Sequence, residues 1–313
     1  MKIAVVGAGA VGCWYGGLLA LAGHEVHLHA RSSAASLRQD GLTLEDAHGR
    51  RRPPIAGVHE TTETIGGCDL VIVTIKSTVN RLLPGLVAPL MRSGTVLLTL
   101  QNGMGNVETL QGLVPEERLV AGLCFVCINR MPGGVVRSSL AGHVRLASCR
   151  GPAGPAAELC SGLLSKAGVD SRTENSLEGV LWKKLCWNIP FNGLSIAAGG
   201  VTTDLIVGSP ALRDRARKLM GEVSAAARAC GAPFDDDHIE WQFTATDRMG
   251  PYRPSSLIDY LEGRDVEIDG IWAEPLRRGV EAGVAMPELT RLLEDIRGRL
   301  RDRGSLGPGE APR

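Results

Sequence analysis

The sequence has no surplus of either charge sign. Lys and Arg together number 34, Asp and Glu 34, and the net charge over 313 residues is zero. A chain so balanced carries no general electrostatic footprint for nucleic acid or for an anionic membrane. It also lacks any apolar run long enough to span a bilayer. Met1-Lys2 leads at once into IAVVGAG, which is too short and too glycine-rich for a secretory core. The expectation is a cytoplasmic chain. Paired metal ligands are missing too. Cys124 and Cys127 are spaced C-x-x-C, but no second Cys or His pair follows at usable spacing, so no metal is expected. In a strand those two side chains would face opposite sides. The eight cysteines, scattered in apolar company, read as buried thiols. No internal repeat is visible.

What the chain does have is length for about two domains and an ordinary 44% apolar content. Its first residues combine a β-branched strand, Lys2 to Val6, with Gly7-Ala8-Gly9-Ala10-Val11-Gly12, a helix and a second strand, EVHLH. A strand–GxGxxG–helix–strand unit is the dinucleotide-binding pattern. Gly7 permits the tight turn, Gly9 lets the backbone approach a pyrophosphate, and Gly12 lets the helix pack close to the sheet. The helix N-terminus then offers free N–H groups to the phosphates.

An NAD-specific site carries Asp or Glu at the end of the second strand, on the ribose 2′-hydroxyl. This chain has His29-Ala30-Arg31-Ser32 there. No carboxylate is available and Arg31 suits a 2′-phosphate, so the expected cofactor is NADP. Residues 69–75 and 95–100 read as buried parallel strands. The first ends in Lys76, the second in Gln101-Asn102-Gly103. Ligands bind at the carboxyl ends of such strands, which places Lys76 near the adenosine phosphate and Asn102 near the nicotinamide. Residues 41–58, with Arg50, Arg51 and Arg52, read as a hairpin or loop whose arginines form a solvated turn. Further strands are expected at 119–128, 143–147 and 169–173.

Beyond about residue 175 the pattern turns helical, with helices expected over 177–194, 210–230, 236–246, 254–263, 267–282 and 286–301. The fold class is therefore α/β, with a Rossmann-type domain (1–173), an all-helical domain (174–303) and a disordered tail (304–313). Within residues 181–195, LWKKLCWNIPFNGLS, the side chains of Lys184, Asn188 and Asn192 fall along one helical face. An ammonium and two carboxamides on one stripe suit a small anion with an adjacent carbonyl. The same side chains could instead cap neighbouring backbone in a buried helix. Pro190 has no N–H and is expected to kink or loosen the helix near Cys186 and Trp187. Lys183 is about 100° off the stripe and is expected to be solvated.

GAGAVG, Arg31, Ile75-Lys76, QNGMGN at 101–106, the K-x-x-x-N-x-x-x-N of 184–192 and PSSLIDYLEGRDVEID at 254–269 together resemble the ketopantoate reductase family, over nearly the whole chain. The resemblance implies a Rossmann domain, a helical domain and NADPH-dependent reduction of a 2-oxo acid. It implies Lys184 as catalytic lysine, Asn188 and Asn192 on the substrate side, Asn102 beside nicotinamide and substrate, and Ser255 at the substrate carboxylate. It further implies Glu267 at the substrate and cofactor, and a backbone contact to the cofactor at Ile128. The chain departs from the family at Ser256 and Ile258, where Met and Gln are usual, and at Thr202 or Thr203, where Asn is frequent. The departures bear on which oxo acid is taken, not on the reaction type.

Residue chemistry suits the reaction. Hydride addition to a ketone builds negative charge on its oxygen, which a nearby ammonium stabilises and protonates. Two alternatives stay open: an NADP-dependent reductase of another 2-oxo acid, and a silent NADP-binding redox sensor. The β-hydroxyacid dehydrogenases share the design but set Asn at a shorter interval after their lysine. The expected partner is a small 2-oxo acid, and the apolar C-terminal helices leave room for a homodimer.

Overall fold

The computed structural model describes residues 1–305. Of the expected tail, Gly304 and Ser305 end the last helix, and residues 306–313 lie outside the described residues. The chain divides into two compact units, Met1–Leu177 and a second beginning at Glu178.

The first unit is built on one sheet. Its strands are β1 (Lys2–Val6), β2 (Glu25–His29), β3 (Thr43–Asp46), β4 (Gly49–Arg51), β5 (Gly57–His59), β6 (Leu70–Val73), β7 (Val96–Thr99), β8 (Leu119–Arg130), β9 (Val135–Ser148) and β10 (Asp170–Thr173). The order is β4-β3-β9-β8-β7-β6-β1-β2-β5, with β10 also on β9. The stretch β8-β7-β6-β1-β2-β5 is parallel throughout. It is the doubly wound order, whose direction of winding reverses between β1 and β6, and ligands bind beside that switch point. β6 and β7 are wholly buried and apolar but for Thr99, as suits strands covered on both faces.

Helix α1 (Ala10–Leu21) packs on this sheet, burying Cys13, Trp14, Tyr15, Leu18 and Leu19 in a core shared with Val5, Leu28, Leu98 and Val144. A β-carbon on Gly17 would press on Leu42 and Leu44, so α1 also lies close to β3. The other helices of this unit are α2 (Ala34–Asp40), α3 (Leu83–Val87), α4 (Asn106–Leu110) and α5 (Pro155–Lys166).

The hairpin expected within residues 41–58 is present as β3–β4. Arg50 and Arg51 lie on its second strand, not in its turn. Arg50 meets Glu45 at 2.7 Å and Arg51 meets Asp46 at 2.5 Å across the β3–β4 hairpin.

The second unit is helical: α6 (Leu177–Ala197), α7 (Thr203–Gly208), α8 (Pro210–Ala229), α9 (His238–Asp247), α10 (Ser255–Leu261), α11 (Glu274–Glu281) and α12 (Pro287–Ser305). The stretch expected as one helix over 267–282 is a short π-helical turn, Asp269–Ala273, running into α11. α6 continues through Pro190 without a break. The indole N–H of Trp272 donates to Ile189 O at 3.0 Å, and a β-carbon on Gly193 would sit 2.6 Å from Leu292 Cδ2. Close packing by the π-helical turn and α12 thus holds α6 where proline removes one intrahelical bond. Among the described residues, no helix is long and apolar enough to cross a membrane.

One stability consequence follows from the edge of the sheet. His27 Nδ1 and His59 Nε2 are hydrogen-bonded at 3.0 Å, His27 Nε2 meets Glu25 at 2.9 Å, and His59 Nδ1 meets Thr64 at 2.8 Å. Burial, then the charge of His27, holds the His59 pKa below its usual value. Burial likewise depresses His24, His29, His143 and His238. A base whose folded pKa is depressed resists protons that the unfolded chain accepts. The associated stability is therefore complete above the unfolded value of about 6.5 and declines as pH falls below it. The melting temperature should fall by several degrees, at about 2–4 °C per kcal/mol for a chain of this size, between pH 7.5 and pH 5. A melting temperature flat or rising over that window would contradict the assignment.

Candidate active site

At the carboxyl end of β1 the chain turns through Gly7 at φ +110°, a left-handed conformation that favours glycine. A β-carbon there would lie 2.7 Å from Ile75 N. The amides of Gly7 and Ala8 both donate to His29 O, at 3.2 and 3.0 Å, tying the loop to the end of β2. Thr74 Oγ1 donates to Gly7 O at 2.5 Å. A β-carbon on Gly12 would collide with Gly7 O and Thr74 Oγ1, so the first turn of α1 presses directly on the loop and β6.

Gly9 differs from both. Its missing β-carbon faces open space, with nothing within 4 Å. Gly9 is also the N-cap of α1, with no side chain capping the helix and no acidic residue in its first turn. An open backbone surface at an uncapped positive helix end fits a pyrophosphate. Ala8, Ala10 and Val11 complete that turn.

Arg31 stands just past β2, exposed and without a carboxylate partner among the described residues. Its charge helps depress the neighbouring His29, after burial. Lys76 is half-buried and N-caps the 3-10 turn Ser77–Leu82. Ile128 lies on β8 next to a register shift, where the strand departs from regular pairing.

Asn102 is half-buried, and three amide side chains shape its turn. Asn106 Nδ2 donates to Asn102 O at 2.9 Å and to Gly103 O at 3.1 Å. Asn80 Nδ2 donates to Asn106 Oδ1 at 3.0 Å, and Gln101 Nε2 reaches Ile75 O at 2.9 Å and Asn80 Oδ1 at 2.7 Å. Asn80, Gln101, Asn106 and Thr74 are residues that sequence reasoning missed. The amide-rich run 101–106 was a visible signal for two of them. Nothing local pointed to Asn80 or Thr74.

In the second unit, α6 carries Lys184, Asn188 and Asn192 on successive turns, about 6 Å apart along the axis. Lys184 is half-buried and Asn188 is buried. Asn192 is only 1% exposed, and its Oδ1 accepts the Ser256 amide at 3.0 Å. Its oxygen therefore holds the first turn of α10, a bond whose loss costs about 0.5–2 kcal/mol at a helix N-terminus. Its NH₂ is the group left to serve a ligand. Ser255, the first residue of α10, is exposed, and Ser256 is buried. The structure thus brings Asn192 and the 255–256 turn together.

Lys183 is not simply solvated. It is ion-paired to Asp235 at 2.7 Å, and its carbonyl meets His238 Nε2 at 3.2 Å. Thr203, one of the positions where the chain departs from the family, is fully buried, with its hydroxyl on Gly250 O at 3.0 Å. Thr202 bonds Asp204. Thr203 thus fixes the segment before α10, while Thr202 makes a local bond at the start of α7. Glu267 is half-buried, two residues before the π-helical turn, and its carbonyl accepts the Ile271 amide at 3.3 Å.

The cysteines form no disulfide, Cys124 and Cys127 being both buried. Among the described residues, no group of three or more His, Cys, Asp or Glu could hold a metal ion.

A glycine loop of this kind at the switch point of a doubly wound sheet marks a dinucleotide-binding protein. Comparison with known proteins narrows the class. Residues 3–151 match the family described as ketopantoate reductase PanE/ApbA, and residues 176–299 match its C-terminal domain. The chain belongs to the ketopantoate reductase family. It is 33% identical to a 2-dehydropantoate 2-reductase of Nostoc sp. over 95% of this chain and 94% of that protein. The crystal structure of 2-dehydropantoate 2-reductase from Geobacter metallireducens superposes with a TM-score of 0.91 at 37% identity, covering 95% of this chain and 99% of that one. A D-mandelate dehydrogenase solved with NADH and anilino(oxo)acetate, 22% identical with a TM-score of 0.87 over 97% of this chain and 99% of that one, shares the fold.

Proposed function

We propose that this chain reduces 2-dehydropantoate to pantoate with NADPH, on the route to pantothenate and coenzyme A. The observation that carries the reading is the Lys184–Asn188–Asn192 stripe on α6, in a chain whose relatives are named 2-dehydropantoate 2-reductase.

NADPH, when bound, supplies the hydride. The residues of the chain bind, orient and protonate. The glycine loop and the α1 N-terminus hold the pyrophosphate, Arg31 and Lys76 take the 2′-phosphate, and Ile128 offers a backbone contact. Asn102 orients the nicotinamide side and the substrate. Lys184 faces the ketone oxygen, stabilises the charge that develops there and delivers the proton from its ammonium. Asn188 donates to the same oxygen. Glu267 orients the reduced hydroxyl and pairs with Lys184. Asn192, through its NH₂, and Ser255 hold the substrate carboxylate.

A second reading, a different 2-oxo acid, draws on α10. Ser256 replaces the usual Met and is buried there, so a small residue occupies a packed position beside Ser255. NADPH consumption with 2-dehydropantoate, set against a panel of other 2-oxo acids, tests both. The expected result is the highest kcat/KM for 2-dehydropantoate. A higher value for another oxo acid transfers the function to that substrate. Binding of NADPH with no turnover of any oxo acid would leave a silent sensor.

A further inference from the structure

β8 is far longer than the parallel strands beside it. Val6 of β1 is level with Val73 of β6, Val73 with Thr99 of β7, and Thr99 with Ala121 of β8. Residues 122–130 therefore overhang the carboxyl edge of the parallel sheet, by about 30 Å of strand. β8 does not run straight out over that length. Register shifts at Cys127 bend it, as bulges do. Its partner β9 pairs onward with β3, whose Leu44 lies against Gly17 of α1. The overhang thus curls around α1, and its last residue, Arg130, comes back to the glycine loop. Arg130 Nη1 donates to Ala8 O at 3.1 Å, across 122 residues of sequence.

Three observations give this contact meaning beyond a staple. The amides of Gly7 and Ala8 are already tied to His29 O, so the loop has an anchor of its own. Arg130 is exposed and has no carboxylate partner among the described residues, while a guanidinium has five N–H donors and Ala8 takes one. And the loop brings no full positive charge to the helix end it forms, since its sequence, GAGAVG, contains no lysine or arginine. Cys13 reports the nearness of the guanidinium. Burial pushes its thiol up to about 11, with Arg130 pulling the other way, and its Sγ also donates to Ala8 O, at 3.4 Å.

We propose that Arg130 binds the cofactor. It clamps the glycine loop through Ala8 O and turns its remaining N–H groups to the dinucleotide pyrophosphate. This rests on the dinucleotide reading of the loop given above. It is separate from the reading of the 2′-phosphate by Arg31, because the pyrophosphate is common to NADPH and NADH.

The test is the Kd of NADPH, NADH and adenosine 2′-monophosphate, which has no pyrophosphate, for wild type, Arg130→Met and Arg130→Lys. Arg130→Met should weaken both dinucleotides alike by roughly ten- to a hundred-fold, the scale of one charge-assisted pair. Adenosine 2′-monophosphate should change less than twofold. Arg130→Lys keeps the charge and loses the fork, so it should recover part of the loss, and it serves alone if the Met variant does not fold. Unchanged dinucleotide binding in both variants, or an equal loss for adenosine 2′-monophosphate, overturns the proposal. Failure of the wild type to bind either dinucleotide would instead remove the cofactor reading on which it stands.

Discussion

Lys184→Ala is expected to lower kcat by roughly two to four orders of magnitude, the combined scale of a lost general acid and lost charge stabilisation. The Kd of NADPH should scarcely change, because the cofactor determinants named above all lie in the first unit except Glu267. Lys183→Ala is the control that isolates position from charge. Lys183 is paired with Asp235, with its side chain one third exposed. Its removal breaks a partly exposed ion pair worth about 0–1 kcal/mol and should leave kcat within threefold. Steady-state kinetics on both variants with the best oxo acid decides the matter. A Lys184→Ala enzyme within threefold of wild-type kcat would sink the proton-donor assignment.

The adjacent lysines show how far sequence carries. Helical geometry separates them by about 100°, and that alone set Lys184 on the stripe and Lys183 off it. What geometry could not give was the partner of Lys183, because Asp235 lies on a distant segment. The same boundary runs through the fold. β6 and β7 were legible because a strand covered on both faces must be a continuous apolar run. β9 was legible only from residue 143 to 147, since Arg137 and Ser138, upstream, break that run while the strand continues through them. α7 was missed because TDLIVG is short and β-branched at its end. Pro190 argued for a weakened helix, but Trp272 and Leu292 hold that helix from outside it, and no local rule contains them.

In the candidate site the pattern recurs. The glycine loop is readable because Gly7 and Gly12 answer local steric demands, while Gly9 leaves the backbone open. Asn192 is set by helical spacing on the face of Lys184 and Asn188, yet its oxygen serves the backbone of α10, 64 residues away. Arg130 is the extreme case, since its relation to the loop exists only once β8 has curled around α1.

Cofactor preference is the second large effect, and its direction follows from one strand end. β2 closes in His29, followed by Ala30 and Arg31, with no carboxylate to accept hydrogen bonds from a ribose diol or to repel a 2′-phosphate. Arg31 is exposed and holds no carboxylate among the described residues, so no ion pair has to be broken before it meets a phosphate. Its fork can make a bidentate, charge-assisted contact, and Lys76 adds a point charge from the end of β6. Each contact is worth about 1.5–3 kcal/mol where the bound phosphate shields it, and less where water reaches it. At 1.4 kcal/mol per decade, NADPH should be preferred over NADH by roughly ten- to several-hundred-fold in kcat/KM. The preference should shrink as salt rises, because exposed phosphate contacts are screened within about 10 Å at 0.1 M. Arg31→Ala should raise KM for NADPH and leave KM for NADH almost unchanged, which is the opposite pattern to the equal loss expected at Arg130. Measuring kcat/KM with both cofactors on wild type and Arg31→Ala settles it. Equal efficiency with NADH in the wild type, or an equal loss with both cofactors in the variant, would show that Arg31 does not read the 2′-phosphate.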